Sequence, residues 1–525
     1  ITGPRGCGKT TLMLKTCHQL QATPKAAALP IYVNFKTSLQ LEPLYQKGNV
    51  NAIFWFNQWL LFKVYQGLFN TLTELKKAPP SQLKFDEPFV ERVTYQLEMG
   101  QIDDSFDEED SLLTVTSLEE DIKKVLKSLR KTRCVLLLDD ALHAFSLEQQ
   151  RDFFDFFRQI TTRTISPKAA IYPGVTIYSS RFQVGHDAEQ IDVWLKPDSP
   201  DYLDFMFEVL ERRLPSEVYQ KLRANEPLLQ LLCYAAFGMP RALLNMTRLL
   251  YNKRRVLSAG NLAYEVNFNR SKVLRAIRAS FDHTFSVYSS LKVQLPTYEH
   301  FILIGEQLFD TMVTRVKDYN HNKAIGTQSV AIGIQHPLPD EMLKVLEFFQ
   351  LAGLVSAHGR VNMGVKGTFE TYVINYAALV LKNVLFGKPS VSAEDLSSAL
   401  QNTSHRYWPR AAPNVLLGTD DFNVFSLVVP LCHNCEIPIV NEQAKFCLNC
   451  GVVLQRESIY DELVNHDIEE LGLSKRRVQL IKTQAQLFTI EDILMDRDNQ
   501  KLCSIPGISE TLAQQIYSLA EEYIS

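Results

Sequence analysis

With 525 residues, 46% of them apolar, and a formal net charge of −4, the chain is long enough for about three or four separately packed domains. No apolar run approaches the ~20 residues of a membrane span, so a soluble chain without membrane contact is expected. Of nine cysteines, four form a metal pattern, and Cys7, Cys17, Cys134, Cys233 and Cys503 are scattered. That usage suits a reducing cytosol rather than a disulfide framework.

Gly3-Pro4-Arg5-Gly6-Cys7-Gly8-Lys9-Thr10 matches G-x-x-x-x-G-K-[ST] at every fixed position. Ile1-Thr2 before it reads as the end of a strand, so the true N-terminus is expected upstream, with room there for an adenine-contacting segment. The glycines let the backbone turn so that successive N–H groups, and the start of a helix from Thr10 to Leu20, face phosphates. Gly3 to Thr11 is therefore the candidate ATP-binding loop. Lys9 would reach the β- and γ-phosphates, and the Thr10 hydroxyl would hold Mg²⁺.

Pro30 to Phe35 reads as a second strand and Ile53 to Lys76 as a long, aromatic-rich helix, giving a βαβα order. The acidic run Asp103 to Asp110 reads as a solvated loop in preference to a docking site. A helix from Leu118 to Thr132 leads into Cys134 to Asp140, an apolar strand ending in two carboxylates. Asp139 would hold Mg²⁺ through water, and Asp140 would orient the attacking water. A helix from Leu147 to Thr161 follows, then a strand from Gly174 to Ser180 ending in the hydroxyls of Ser179 and Ser180. Tyr202 to Arg254 is helical, with Gly238-Met239-Pro240-Arg241 opening a helix.

In that order these features resemble AAA+ ATPases of the origin-recognition and replication-initiator branch, over about the first half of the chain. Asp139 to Phe145, Tyr172 to Thr176 and Gly185 to Ala188 look like bacterial initiator-like ATPases. The resemblance implies an α/β P-loop core with a parallel sheet over residues 1–200 and a helical lid over 201–256. It implies that Ser179 or Ser180 contacts the γ-phosphate or the water, and that Arg241 senses nucleotide from the lid. It also implies a homo- or hetero-oligomer in which a neighbour supplies an arginine, for which Arg163 is the candidate. Asp140 stands where a Glu is usual, which puts hydrolysis in question. Signal-transducing NTPases of the STAND group share this core.

In the same branch a winged helix follows the lid, expected here within residues 257–386. Glu341 to Phe349 is amphipathic, and Val355 to Val373 alternates like a hairpin wing. Its Arg360 and Lys366 would meet DNA phosphates or a protein. Arg270, Lys272, Arg275 and Arg278 on a preceding helix read as a solvated face.

Residues 387–427, with their Pro, Ser, Asn and Gly, read as an irregular linker. Cys432-His433-Asn434-Cys435 and Cys447-Leu448-Asn449-Cys450 then form CxxC-x11-CxxC, a zinc ribbon over 428–456. Four thiolates fill a tetrahedral Zn²⁺ at about 2.3 Å, leaving no open position, so this zinc is structural. Residues 457–525 resemble helix-hairpin-helix proteins, including the C-terminal domain of the RNA polymerase α subunit. Ile505-Pro506-Gly507-Ile508-Ser509 is the hairpin, with Ser509 in place of a second glycine. Lys475, Arg476 and Arg477 are the candidate phosphate contacts, with protein docking as the alternative.

The chain thus reads as a multidomain protein: P-loop core, helical lid, helical and winged-helix region, zinc ribbon and a small all-α hairpin domain. The expected activity is an ATP–Mg²⁺ switch that engages double-stranded DNA or a partner protein. The alternative is a STAND-like sensor of an antiviral defence system that recruits an effector with little turnover.

Overall fold

The computed structural model describes residues 1–23, 26–35, 52–98, 112–140, 147–255, 262–321, 323, 327–388, 391–401, 408–418, 425–428, 431–432, 434–439, 446–452, 454, 463–496 and 498–524. Three parallel strands form its N-terminal sheet: β1 (Ala28–Asn34), β2 (Arg133–Asp139) and β3 (Ile165–Ala169), in that order. Ala28 lies opposite Arg133, and Cys134 opposite Ile165. Thr2 bridges Ile171, just past β3, and bridges Asp192 on its other side.

Helix α1 (Lys9–Ala22) covers one face of the sheet, where Met13 and Cys17 meet Leu137 and Ala170. The other face packs against α2 (Ala52–Glu74), α3 (Glu87–Glu98), α4 (Val115–Ser128) and α5 (Leu147–Ile160). There Cys134, Leu136 and Leu138 share a core with Trp59, Ile122 and Phe153. A strand covered on both faces has to be apolar throughout, which is why β2 shows no alternation. Parallel strands also gather their carboxyl ends, so Asn34, Asp139 and the residues after Ala169 reach the edge where the loop leaves Thr2.

The helices begin where their caps dictate. Thr114 and Ser117 form a capping box, Ser117 N–H to Thr114 Oγ1 being 3.1 Å, which starts α4 at Val115 rather than Leu118. One expectation fails outright: Gly174 to Ser180 is a turn followed by irregular backbone, and β3 takes the place beside β2.

Four helices follow: α6 (Tyr202–Arg213), α7 (Ser216–Arg223), α8 (Glu226–Ala235) and α9 (Pro240–Arg248). Leu228, Leu229 and Leu231 to Ala235 of α8 are all buried, so α8 has to be enclosed on every side. The enclosing elements include α10 (Arg270–Gln294), α13 (Tyr376–Leu381) and α14 (Ala393–Gln401). One continuous core therefore runs from Cys7 and Tyr172 through the lid helices to Phe425, where the sequence leads one to expect separate units. The stretch expected to be helical to Arg254 ends in β4 (Tyr251–Arg255), antiparallel to β5 (Leu262–Val266).

Beyond α10 come α11 (Glu299–Asn320), β6 (Ala331–Gln335), α12 (Asp340–Ala352) and the hairpin β7 (Val355–Asn362) and β8 (Thr368–Ile374). The second sheet has the order β7-β8-β6-β9, in which β9 (Arg410–Ala411) runs parallel to β6. The segment expected as a linker thus contributes α14, β9 and α15 (Pro413–Leu417), and its Leu396, Leu400, Trp408 and Leu416 are buried. Gly333 is what admits Trp408: a Cβ there would lie 2.0 Å from the indole.

Residues 463–524 have a core of their own, built by α16 (Lys475–Leu480), α17 (Ile490–Met495), α18 (Gln500–Cys503) and α19 (Glu510–Ile524), with Val293 of α10 packed against it. No helix among the described residues is long and apolar enough to cross a membrane.

Candidate nucleotide and metal sites

The loop after Thr2 closes through two left-handed glycines, Gly6 at φ +81° and Gly8 at φ +104°, conformations that a side chain would strain. Gly8 caps α1 and offers no side-chain acceptor, and the first turn of α1 carries no acidic residue. Its N–H groups and dipole therefore face the loop without a built-in counter-charge, which is the chemistry of an anion nest. Thr10 and Thr11 begin the same helix, Thr10 half-buried and Thr11 exposed.

Lys9 is 5% exposed. Its Nζ donates to the carbonyls of Gly3 (2.7 Å) and Pro4 (3.1 Å), so the lysine arches back across the loop that precedes it. Burial brings its pKa down to about 8, against the opposing pull of Cys7, Asp139 and Asp140. Asp139, 1% exposed at the end of β2, accepts from the Tyr32 hydroxyl (2.8 Å) and the Asp140 N–H (3.1 Å). Burial, and then the Asp139 carboxylate, drive the Tyr32 phenol well above its usual range, so it stays a donor. Asp140, the next residue, has a left-handed backbone at φ +54°. Lys9, Thr10 and Asp139 fit a Mg²⁺–triphosphate: the ammonium and helix start for phosphate, the hydroxyl and the buried carboxylate for the ion. When bound, that ion would draw charge from the phosphoryl oxygens.

Residues 1–165 match the ORC-CDC6-like family model. No curated protein and no solved structure matches the chain. The ORC-CDC6-like segment contains the loop, Asp139 and Asp140, and stops short of Tyr172, Arg241 and the paired cysteines. It supports a nucleotide-binding core of the AAA+ ATPase type.

Outside the ORC-CDC6-like segment, α9 carries Arg241 to the loop. The Arg241 N–H donates to the Gly6 carbonyl at 3.4 Å, and a Cβ on Gly6 would stand 3.1 Å from the Arg241 Cβ. The end of α12 arrives from another direction, its Leu351 carbonyl accepting from the Arg5 N–H at 3.3 Å. Ser179 and Ser180 do not hold the position expected of them. Ser179 Oγ donates to Asp155 Oδ1 (2.6 Å) on α5, and Ser180 is exposed. The line of β3 runs instead through Ile171 to Tyr172, whose ring lies 3.7 Å from Lys9 Nζ. Tyr172 opens one of the stretches that carry the family resemblance, but its place beside Lys9 was not read from the sequence, because the strand was expected after Gly174.

Arg163 is exposed at the amino end of β3, about 20 Å along the strand from the carboxyl edge. The chain does not bring it to its own loop. Arg360 pairs with Glu370 across the hairpin at 2.6 Å, and Lys366 stands in the hairpin turn beside the fully exposed Val365. Lys475, Arg476 and Arg477 are exposed at the start of α16, where cations gain nothing from the helix dipole. Residues 103–110 and 141–145 lie outside the described residues.

The cysteine sulfurs of Cys432, Cys435, Cys447 and Cys450 lie within 4.8 Å of one another, with Cys432–Cys450 at 3.6 Å and Cys435–Cys447 at 3.5 Å. A tetrahedral ion with sulfur at ~2.3 Å has edges of about 3.8 Å, so the set fits zinc. Both knuckles repeat one backbone pattern: Cys432 N–H to Ile437 O and Glu436 N–H to Cys432 O, then Cys447 N–H to Val452 O and Gly451 N–H to Cys447 O. Glu436 and Gly451 hold the same left-handed position, and only the second was legible as a turn glycine. The Asn434 side chain, then the Val452 backbone, bring the Cys450 thiol down to about 6, toward the thiolate a metal takes.

Separating the two carboxylates tests the ion site. Asp139→Asn is expected to weaken the Mg²⁺-dependent part of ATP binding about 10- to 100-fold, the range for a group that holds a metal through water. Asp140→Asn is expected to keep binding and lose turnover. Titration calorimetry with and without Mg²⁺, beside a phosphate-release assay, reads both; unchanged turnover in Asp140→Asn removes that residue from the water-orienting role.

Proposed function

We propose that the chain is an ATP-dependent molecular switch: ATP–Mg²⁺ binds at Gly3 to Thr11 with Asp139, and its presence is passed to modules that engage double-stranded DNA. The observation that carries this reading is that the loop is touched from two sides. Arg241 of the lid meets Gly6, and the end of α12 meets Arg5, so filling the loop bears directly on the residues that precede the hairpin. Hydrolysis resets the switch, with Asp140 orienting water and an arginine from a neighbouring protomer, Arg163, at the γ-phosphate. In this reading zinc shapes the ribbon, while Arg360, Lys366, Lys475, Arg476 and Arg477 meet DNA backbone. None of these sits among side chains suited to reading base edges, so binding is electrostatic and insensitive to sequence.

A second reading is favoured by one observation, the short and left-handed Asp140 where a longer carboxylate would reach water more easily. In it ATP is held rather than consumed, as in a STAND-like defence sensor, and the C-terminal modules recruit an effector protein. Duplex DNA titrations over a range of salt, with ATP, ADP or no nucleotide, separate the two. The switch reading expects affinity to change with nucleotide, and expects alanine at 475 to 477 to flatten the salt slope by about 2–3 units, nearly one for each phosphate left without its cation. No DNA binding at low salt in any nucleotide state transfers the reading to the effector protein.

A further inference from the structure

A cavity of about 590 Å³ is lined by the first turns of α10, by the end of α13 and the turn after it, and by Leu396 of α14. None of its lining residues belongs to the glycine loop or to β2. Arg270, Arg275, Arg278 and Lys388 line it, and no acidic side chain among the described residues does. Much of the remaining surface is apolar, with Leu274, Leu385 and Phe386 in it. A solvated helix face, the reading from sequence alone, would set carboxylates three or four residues from its cations. On α10 the residues at that spacing are Lys272, Arg275 and Arg278, and its first turn carries no acid. Arg275, Arg278 and Lys388 have no ion-pair partner among the described residues. Like charges in a row, close to a helix start, oppose one another and the helix dipole. The Asn269 side chain already accepts from the Lys272 N–H at 3.1 Å, so an anion here would meet the side chains of α10 rather than that backbone donor.

We propose that this cavity binds an organic phosphate: a head with two or more negative charges, met by Arg275 and Arg278 with Arg270 and Lys388, on an apolar or planar body that lies against Leu274, Leu385 and Phe386. Its volume falls within the roughly 300–1,000 Å³ of small-molecule sites, which combine a mostly apolar lining with a few convergent polar groups. A cavity of this size takes in a small molecule and not a duplex. The planar fork of a guanidinium matches two phosphate oxygens at once, and a multiply charged head supplies the counter-charge that the cations around the cavity lack. A nucleoside and a hydrocarbon chain both provide a suitable body, and the phosphate head is the chemistry they share. The inference does not depend on what fills the glycine loop.

Probes that share one head and differ in body test this. ADP, geranyl diphosphate and inorganic pyrophosphate are titrated by calorimetry into the full chain and into the double variant Arg275→Ala, Arg278→Ala. Both side chains are exposed, so their truncation leaves the core intact. The variant is expected to bind ADP or geranyl diphosphate at this site at least about 30-fold more weakly, having lost charge-assisted contacts that contribute roughly tenfold or more each. For ADP the number of sites separates the cavity from the loop. A fall from two sites to one means that both hold nucleotide, and a fall from one to none means that the cavity binds while the loop does not.

Loss of an ADP site supports the proposal and identifies a nucleoside body; loss of the geranyl diphosphate site supports it and identifies a hydrocarbon one. In either case pyrophosphate is expected to bind at least about tenfold more weakly than the probe with the right body. Without ligand the variant should melt at the wild-type temperature or slightly above it, because like charges have been removed from one helix face. The proposal is overturned if neither probe loses a site in the variant, or if pyrophosphate binds as tightly as the other two, which would reduce the cavity to a bare cationic patch. A ligand-free variant that melts well below wild type also overturns it, since the arginines would then serve the fold.

Discussion

Lys9→Ala is expected to abolish ATP binding, with affinity falling at least about 100-fold. A charge-assisted contact to phosphate is worth about 1.5–3 kcal/mol, or roughly 10- to 150-fold, and this variant also leaves the buried Gly3 and Pro4 carbonyls without their donor. Lys9→Arg is expected to fail as well, because a planar guanidinium does not fit the slot between those carbonyls and the Tyr172 ring. Stability is expected to change in both directions, the two carbonyls losing their donor and the core losing a buried cation. Native Lys9 gives up its proton near pH 8, while the unfolded chain holds one to 10.5, so the unfolded state binds more protons between those values. Wild type therefore gains stability as pH rises through that window, and the alanine variant, with no buried cation, lacks this gain. Calorimetry with Mg²⁺–ATP, alongside thermal melting at pH 7 and 9.5, reads binding and folding separately. Undiminished affinity in a folded Lys9→Ala chain would remove the loop from any role in nucleotide binding.

Removing the metal should have a larger effect, confined to another part of the chain. The purified protein is expected to carry one zinc, held by Cys432, Cys435, Cys447 and Cys450. Zinc binding in such small modules is worth about 10–16 kcal/mol and is coupled to their folding. Leu431, Ile437, Phe446 and Leu448 around the cysteines are exposed, so among the described residues no apolar core supports the turns once the ion leaves. Cys432→Ser, or a strong chelator, should therefore unfold the ribbon and open it to protease, while ATP affinity stays as it was. Elemental analysis of protein purified without chelator checks the first part, and limited proteolysis beside calorimetry checks the rest. Protein without zinc, or ATP binding that disappears together with the ribbon, would contradict the separation of the two sites.

What the sequence made legible is what backbone chemistry forces to be local. The glycines and lysine of the loop, the apolar strand ending in Asp139 and the doubled CxxC spacing each carry their signature within a few residues. The failures have a common cause in tertiary context. Val175-Thr176-Ile177-Tyr178 has the composition of a strand, yet the real neighbour of β2 is Ile165-Ser166-Pro167-Lys168-Ala169, whose proline and lysine argue against a sheet position. Proline is tolerated because β3 is the last strand of the described sheet, Ile1 and Thr2 meeting it only from Ala169 onward. That misplacement puts hydroxyls where Tyr172 stands. Residues 387–427 look like a linker from their turn formers, but Leu396, Leu400 and Trp408 are anchors whose partners, among them Gly333, lie elsewhere in the chain. The ion pair of Arg360 with Glu370, across the hairpin and ten residues on, was likewise not legible, because the register that brings the two together is set by the hairpin.

The continuous core from the lid helices to Phe425 changes what closing over a nucleotide means mechanically. A lid hinged alone would behave as a flap, free to fold down while the rest of the molecule stayed still. Here the helix bearing Arg241 is fused to everything as far as the second sheet, and Leu351 rests on the loop close by. In the proposed switch this arrangement would act as a lever with its fulcrum beside the glycine loop: Arg241 on the short arm, and the exposed hairpin tip around Val365 at the end of the long one. A tilt of a few degrees at the loop is therefore expected to sweep that tip through a much wider arc.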